Sequence, residues 1–374
     1  MQVYQVGGAV RDRLLGIPVY DRDWVVVGAT VEQMLALGYQ PVGKDFPVFL
    51  HPETHQEYAL ARTERKSGRG YGGFQCNAAA DVTLEQDLQR RDLTINAMAE
   101  NHQGELFDPY GGQQDITQRL LRHVSPAFAE DPLRVLRVAR FLARFHRLGF
   151  TIHPATMALM TELSSGGELQ ELSAERVWRE TERALTEANP EQYFITLARC
   201  GALQQLMPEL AEVLAPLSEN ESALQPLLRA CTISDQPPVR WAVVCHGLKT
   251  DEKLTELHQR LKIPKQFHDN ALLLWRYQSR LADTLTAADV MALYQGLDLK
   301  RRPDRLDPFI MGCRAVAGLS AEQPFSSAST LQQLVKAISQ INPQALIEQG
   351  FKGAELGNEI KRQQQLILEQ ALPL

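Results

Sequence analysis

The sequence predicts an α+β chain, with a head built on a small mixed sheet and an all-helical remainder. Three observations carry this. Short β-rich runs alternate with short helical stretches over residues 1–120. From Pro132 onward nearly every apolar run has the three-to-four-residue spacing of a helix. At 374 residues, with 44% apolar and 22% charged side chains, the chain is long enough for two or three domains, each with its own core.

Taken in order, the apolar run Val3–Val6 predicts a first strand that ends at the Gly7-Gly8-Ala9-Val10-Arg11-Asp12 turn, with helix from Val10 to Leu15. A strand follows over Asp21–Val27 and a helix over Val31–Leu37. The runs Pro47–His51 and Glu57–Arg62 predict a hairpin joined by Pro52–Gln56. Between Thr63 and Asn77, Gly68, Gly70, Gly72 and Gly73 interleave with basic residues and Tyr71, which predicts a mobile loop without regular structure. Thr83 and Gln86 form a capping-box pattern for a helix over Leu84–Arg91, and Ile95–Ala99 predicts another strand. Asp131 followed by Pro132 matches an N-cap and a first helical residue, opening a helix that runs through Phe145. Further helices are predicted near 154–163, 174–187, 190–199, 222–231, 252–261, 266–281, 287–295, 328–339 and 355–371. Several prolines and Ser-Glu-Asn-Glu-Ser mark 214–240 as a boundary. The expected division is a head over 1–120, a helical neck over 121–215, and a helical body and tail over 216–374.

No run approaches the ~20 apolar residues of a membrane helix, and the N-terminus opens on strand-like sequence, so no membrane partner and a cytoplasmic location are expected. Five cysteines, odd in number and without Cys-x-x-Cys spacing, argue against a disulfide framework or a structural zinc. A monomer and a dimer fit these features equally. The net charge of −6 does not suggest a polyanion partner, but its distribution does. Between Arg119 and Arg147 stand seven arginines against only Glu130 and Asp131. The bland alternative is a helix face of solvated arginine.

Asp21 and Asp23 carry the chemistry. Residues two apart project from one face of a strand, so their carboxylates sit together and repel unless a cation neutralises them. Oxygen ligands beside a phosphate-bearing substrate suit Mg2+. Gly7 and Gly8 let backbone N–H groups approach a triphosphate, with Arg11 close behind. Each half alone has an ordinary reading, a solvated edge and a plain turn; together, in this order, they point to nucleotidyl transfer. Arg90-Arg91-Asp92, followed by Asn96, can place a guanidinium on phosphate and a carboxylate on ribose hydroxyls, or simply decorate a helix end with cations. In Glu130-Asp131-Pro132-Leu133-Arg134 and onward to Arg137 and Arg140, a carboxylate and several guanidiniums share one helix face and can meet a base edge.

This set of motifs resembles the class II nucleotidyltransferases, most closely the bacterial tRNA nucleotidyltransferases that add CCA to tRNA 3′ ends. The likeness is strong through residue 210, including Glu175-Arg176-Val177-Trp178 and Cys200-Gly201-Ala202-Leu203, and thins toward Phe351-Lys352-Gly353. The resemblance implies a polymerase-beta-like head, tRNA with CTP and ATP as partners, and two-metal chemistry on Mg2+. It implies that Asp21 and Asp23 hold metal and that Gly8 and Arg11 contact the nucleotide, as do Arg91 and Asp92. Asp131 and Arg134 would template the base, with Arg137 and Arg140 as further nucleotide contacts. Arg65–Gly73 looks like the family's lever between C and A addition, and Glu57 is a candidate third carboxylate. Longer relatives carry an HD phosphohydrolase domain, but here His246 is followed by Gly247, which predicts no such site. The alternatives are a poly(A) polymerase of the same class and a catalytically idle tRNA-binding protein.

Overall fold

The computed structural model describes residues 1–42, 47–66, 74–214, 221–282 and 284–372, and the chain forms two compact units, Met1–Pro208 and Glu209–Leu374. The first unit opens with β1 (Gln2–Val6), α1 (Gly8–Leu15), β2 (Asp23–Val27), α2 (Val31–Ala36), β3 (Gln40–Val42), β4 (Val48–Leu50) and β5 (Glu57–Leu60). It continues through β6 (Thr63–Lys66), β7 (Phe74–Asn77), α3 (Leu84–Gln89), β8 (Ala99–Glu100) and β9 (Leu106–Phe107). The main sheet runs β3-β4-β5-β2-β1-β8-β9, with β2 and β5 parallel and the other neighbours antiparallel, so the expected small mixed sheet is present. Alternation along β2 sends Val25 into one cluster with Val6, Leu88 and Ala99, and Val26 into another with Met34, Phe49 and Leu60. The sheet is therefore buried on both faces at its centre. Its site-bearing residues sit at the strand ends.

The hairpin between β4 and β5 forms as predicted, and Thr83 and Gln86 complete the capping box of α3. Three expectations are corrected. Asp21 lies before β2, which begins at Asp23, so strand alternation does not pair the two carboxylates. Ile95–Ala99 is not one strand: Thr94–Asn96 form a 3-10 turn and only Ala99–Glu100 pair with β1. Every residue from Leu93 to Ala99 is buried there, so the apolar run reports burial and not extended backbone. The glycine-rich segment is framed by regular structure, since β6 and β7 pair antiparallel from Thr63↔Asn77 to Lys66↔Phe74. The lever assigned to Arg65–Gly73 falls mainly on 67–73, outside the described residues.

The unit then turns helical with α4 (Gly112–Gln118), α5 (Leu133–Phe145), α6 (Pro154–Ser165), α7 (Ala174–Thr186) and α8 (Glu191–Arg199). Val135, Leu136, Val138, Ala139 and Phe145 of α5 are fully buried, and α5 packs on α7 and α8. In the second unit, helices cover Asp251–Arg260, Lys265–Tyr277, Ala287–Gly296, Ser326–Ser339 and Gly353–Ala371, close to the predicted spans. The segment 214–240 also holds helix, Gln225–Ile233 and the start of Pro237–Cys245, while 215–220 lie outside the described residues. Prolines open the second of these at its first turn, where a missing N–H costs nothing. Leu306–Val316 is a helix the periodicity did not predict; Gly312 within it faces Leu274, where a Cβ would come within 3.0 Å. Among the described residues no helix is long and apolar enough to cross a membrane.

Candidate active site

Gly7 turns the chain out of β1 with φ 68°, a conformation that costs a side-chain-bearing residue about 1–2 kcal/mol. A Cβ there would also stand 2.9 Å from Arg91 Nη1, so the turn needs glycine twice over. In register, Asp23 lies between Val6 of β1 and Glu57 of β5. Gly8, Asp21, Asp23 and Glu57 line a single cavity of about 700 Å³, within the range of nucleotide-sized sites. Glu57, inferred from its neighbouring strand, is thus beside Asp23.

Among the described residues, Asp21 and Asp23 take neither an ion pair nor a side-chain hydrogen bond. Burial pushes the Asp23 carboxyl above its ordinary range; Arg91 offsets part of this and the charge of Asp21 adds to it. Two neighbouring carboxylates without sulfur or imidazole are the donor type that a hard divalent ion takes, although among the described residues no three His, Cys, Asp or Glu side chains are grouped closely enough to hold a metal ion.

The same cavity is lined by arginines, and each is held. Arg11 is buried, donating from Nε to Asp12 at 2.8 Å and from Nη1 to Asn96 Oδ1 at 2.5 Å. Arg91 reaches Asp87 at 3.2 Å, while its own Nε is buried without a partner. Asp92 accepts from the Leu93 amide, from Asn96 Nδ2 and from Arg137 Nε at 2.7 Å. Burial opposes its ionisation, but Arg137 and Asn96 outweigh that and hold the carboxyl far below the carboxylate range. With both oxygens engaged, Asp92 orients Arg137 and Asn96 in the first instance.

On α5, Arg140 pairs with Glu180 at 2.7 Å and Glu187 at 3.3 Å, and Arg144 pairs with Asp12 at 2.8 Å. Within the arginine-rich run, Arg137, Arg140 and Arg144 are matched to carboxylates from other elements and line the cavity, while Arg119 and Arg147 at its ends are exposed. Asp131 accepts from the Leu133 amide at 3.1 Å although the helix's cap position falls one residue later than predicted, on Pro132, and its second oxygen takes Arg176 of α7 at 2.8 Å. Arg134 donates to the carbonyls of Ala127 and Arg90 at 2.6 and 2.5 Å, so its guanidinium is fixed to backbone.

Every residue assigned to the site from the sequence lines this cavity: Gly8, Arg11, Asp21, Asp23, Arg91, Asp92, Asp131, Arg134, Arg137 and Arg140. Sequence reasoning gave no role at the site to Asp12, Arg144, Arg176, Glu180 or Glu187, and placed Phe141 only on the buried side of its helix. The one available signal was burial of charge on an amphipathic helix: Arg176 and Glu180 stand four apart on α7, one face of which is core. In the second unit, His246 Nδ1 lies 2.6 Å from the Val243 carbonyl, and Gly247 abuts Val213, whose Cγ1 would be 2.8 Å from an added Cβ. His268 meets His258, and Asp269 is occupied by Arg305 at 2.8 Å.

Residues 3–122 match the family model described as poly A polymerase head domain, and 149–214 match the probable RNA and SrmB-binding site of polymerase A. The chain is 51% identical to a CCA-adding enzyme of Pseudomonas putida over 99% of both chains. It is 48% identical to a multifunctional CCA protein of Hahella chejuensis over 97% of this chain and 93% of the relative. The fold matches that of the Bacillus stearothermophilus CCA-adding enzyme in complex with CTP, at TM-score 0.67 and 24% identity, covering 98% of this chain and 89% of the other.

Proposed function

The chain belongs to the CCA-adding enzymes, which are tRNA nucleotidyltransferases, and from that premise we propose how its own residues do the work. The substrates are CTP, ATP and a tRNA lacking its 3′ end. The observation that carries the assignment is the cavity in which Asp21 and Asp23, unpaired among the described residues, share a lining with Glu57 and anchored arginines. One end suits metal; the rest suits a triphosphate and a base.

The family is metal-dependent, and Mg2+ is the ion we assign to Asp21 and Asp23, with Glu57 as the candidate third carboxylate. When bound, it supplies acidity to the attacking 3′-hydroxyl and charge neutralisation at the triphosphate. Gly7 and Gly8 keep side chains away from the phosphates, while Arg11 and Arg91 offer guanidinium hydrogens to them. Asp92 holds Arg137 by its Nε, fixing the plane of that guanidinium. Asp131, locked by the Leu133 amide and Arg176, and Arg134, locked on two carbonyls, form a rigid edge for the incoming base. Residues 1–120 act as the catalytic head and 121–215 as the neck that reads the base. The body and tail, 216–374, hold tRNA. We place the enzyme in the cytoplasm.

The matched head model bears a poly(A) polymerase description, so the competing activity has a concrete form. Incubation of purified protein with trimmed tRNA, CTP, ATP and Mg2+ separates the two. Addition that stops after C, C and A is expected; A runs formed without CTP would overturn the reading. Loss of both C and A addition in Asp21→Ala and Asp23→Ala, with tRNA binding retained, would place the chemistry at this pair.

A further inference from the structure

Phe141 lies in α5 with 4% of its surface exposed, yet it lines the cavity. Three guanidiniums gather over its ring: the Cζ atoms of Arg140, Arg11 and Arg137 stand 4.6, 5.3 and 5.6 Å from the centroid. All fall within the ~6 Å at which a cation feels the ring quadrupole. Behind it, Phe145 lies parallel at 6.1 Å and 1°, itself under Arg11 at 4.9 Å and Arg144 at 5.2 Å.

Like charges do not gather around one ring without cause. Each guanidinium is satisfied along its edges: Arg11 by Asp12 and Asn96, Arg137 by Asp92, and Arg140 by Glu180 and Glu187. Those in-plane bonds set where each group points. They link the groups only as a chain, Arg11 through Asn96 and Asp92 to Arg137, and Arg137 through Glu180 to Arg140 at 4.0 and 2.7 Å, with no one partner touching all three. The ring is the one element common to all three.

We propose that Phe141 is a positioning residue for nucleotide selection: its face spaces Arg11, Arg137 and Arg140 so that they meet the incoming CTP or ATP in one arrangement. This rests on the reading that the cavity takes the nucleotide. Leucine at 141 fills much of the same volume but has no quadrupole, so the three guanidiniums lose their common attraction while the core of α5 stays packed. Nucleotides with the wrong edge then find donors able to shift toward them.

The experiment compares wild type, Phe141→Leu, and full-length enzyme carrying mono-, tri- and pentafluorophenylalanine at 141, with trimmed tRNA and each of the four nucleoside triphosphates. Fluorination drains the ring face with little change of shape. The expected result is a stepwise fall in kcat/KM for CTP and ATP, carried mainly by KM and reaching about tenfold at pentafluoro, with a falling CTP-to-UTP preference. Melting temperature and tRNA Kd should remain level across the series. Kinetics and selectivity indifferent to fluorination would overturn the proposal even if Phe141→Leu is slow or unstable, because the ring would then serve packing alone. Asp23→Ala in the same assay tests the parent reading: a retained rate would show that nucleotide does not react in this cavity. An inactive Asp23→Ala beside an indifferent fluorine series would sink the Phe141 assignment alone.

Discussion

Asp92→Asn exposes the site's wiring. The carboxylate ties two arms together: Oδ1 holds Asn96, which holds Arg11, and Oδ2 holds Arg137. An asparagine keeps Oδ1 for the Leu93 and Asn96 donors but turns an amide NH2 toward Arg137, where donor meets donor. Hydrogen bonds to charged groups contribute about 1.5–3 kcal/mol each, and Arg137 loses two. With its side chain 33% exposed, water recovers part of that, so a net loss of ~2–4 kcal/mol is expected, below the value for a fully buried pair. For a unit the size of Met1–Pro208, at ~2–4 °C per kcal/mol, melting should fall by roughly 5–15 °C. Asp92 titrates far below its unfolded value, so its stabilisation is present above that value and lost only as pH falls toward the folded pKa. The gap between wild type and variant should therefore be flat from about pH 5 to 8 and narrow only below about pH 4. Scanning calorimetry across pH, paired with steady-state CTP kinetics, measures both consequences, and KM should rise more than kcat falls. A variant melting within ~2 °C of wild type with unchanged KM for CTP would refute the wiring.

Asp23→Asn should abolish transfer yet raise the stability of the metal-free protein. A carboxyl whose folded pKa is raised opposes folding once ionised, so removing that charge relieves it; a urea midpoint in EDTA no higher than wild type would contradict this, as would equal stabilisation of both by Mg2+. Asp131→Ala should cost ~1 kcal/mol for the cap and also lower the CTP-to-UTP ratio, whereas a lone stability loss with unchanged selectivity would leave Asp131 as a cap only. Gly7→Ala forces a left-handed alanine and displaces Arg91, so CTP affinity should drop alongside stability; a pure stability loss would show that Arg91 does not need its present position. Metal-stimulated 2′,3′-cyclic phosphodiesterase activity should be absent, and Gly247→Asp should not create it because Val213 fills the space; robust hydrolysis by wild type would reveal a missed site.

Much of the fold and most of the candidate site were legible in the chain because they rest on local rules. Apolar β-rich runs marked β1 and β2, capping chemistry marked α3, and a glycine pair between strand and helix marked a tight turn. Asp21, Asp23, Arg91, Asp92, Asp131 and Arg134 stand in short motifs whose members are neighbours in sequence. Where local rules failed, burial had overridden them: the apolar run at Ile95–Ala99 fills the core as a turn, and the glycine-rich segment is closed by a pairing that neither flank announces.

What tertiary structure decided is which charge faces which. Arg144 meets Asp12 across 132 positions, Arg137 meets Asp92 across 45, and Arg140 meets Glu180 across 40. No periodicity spans such distances, because a side chain's pattern records only how exposed its own face is. The spacing of four arginines predicts that they share a helix face; whether that face meets water, RNA or a wall of carboxylates depends on what α7 and α1 bring to it. Glu180 from α7, Asp12 from α1 and Asp92 from the segment after α3 turned the middle of that basic stripe into the lining of one cavity.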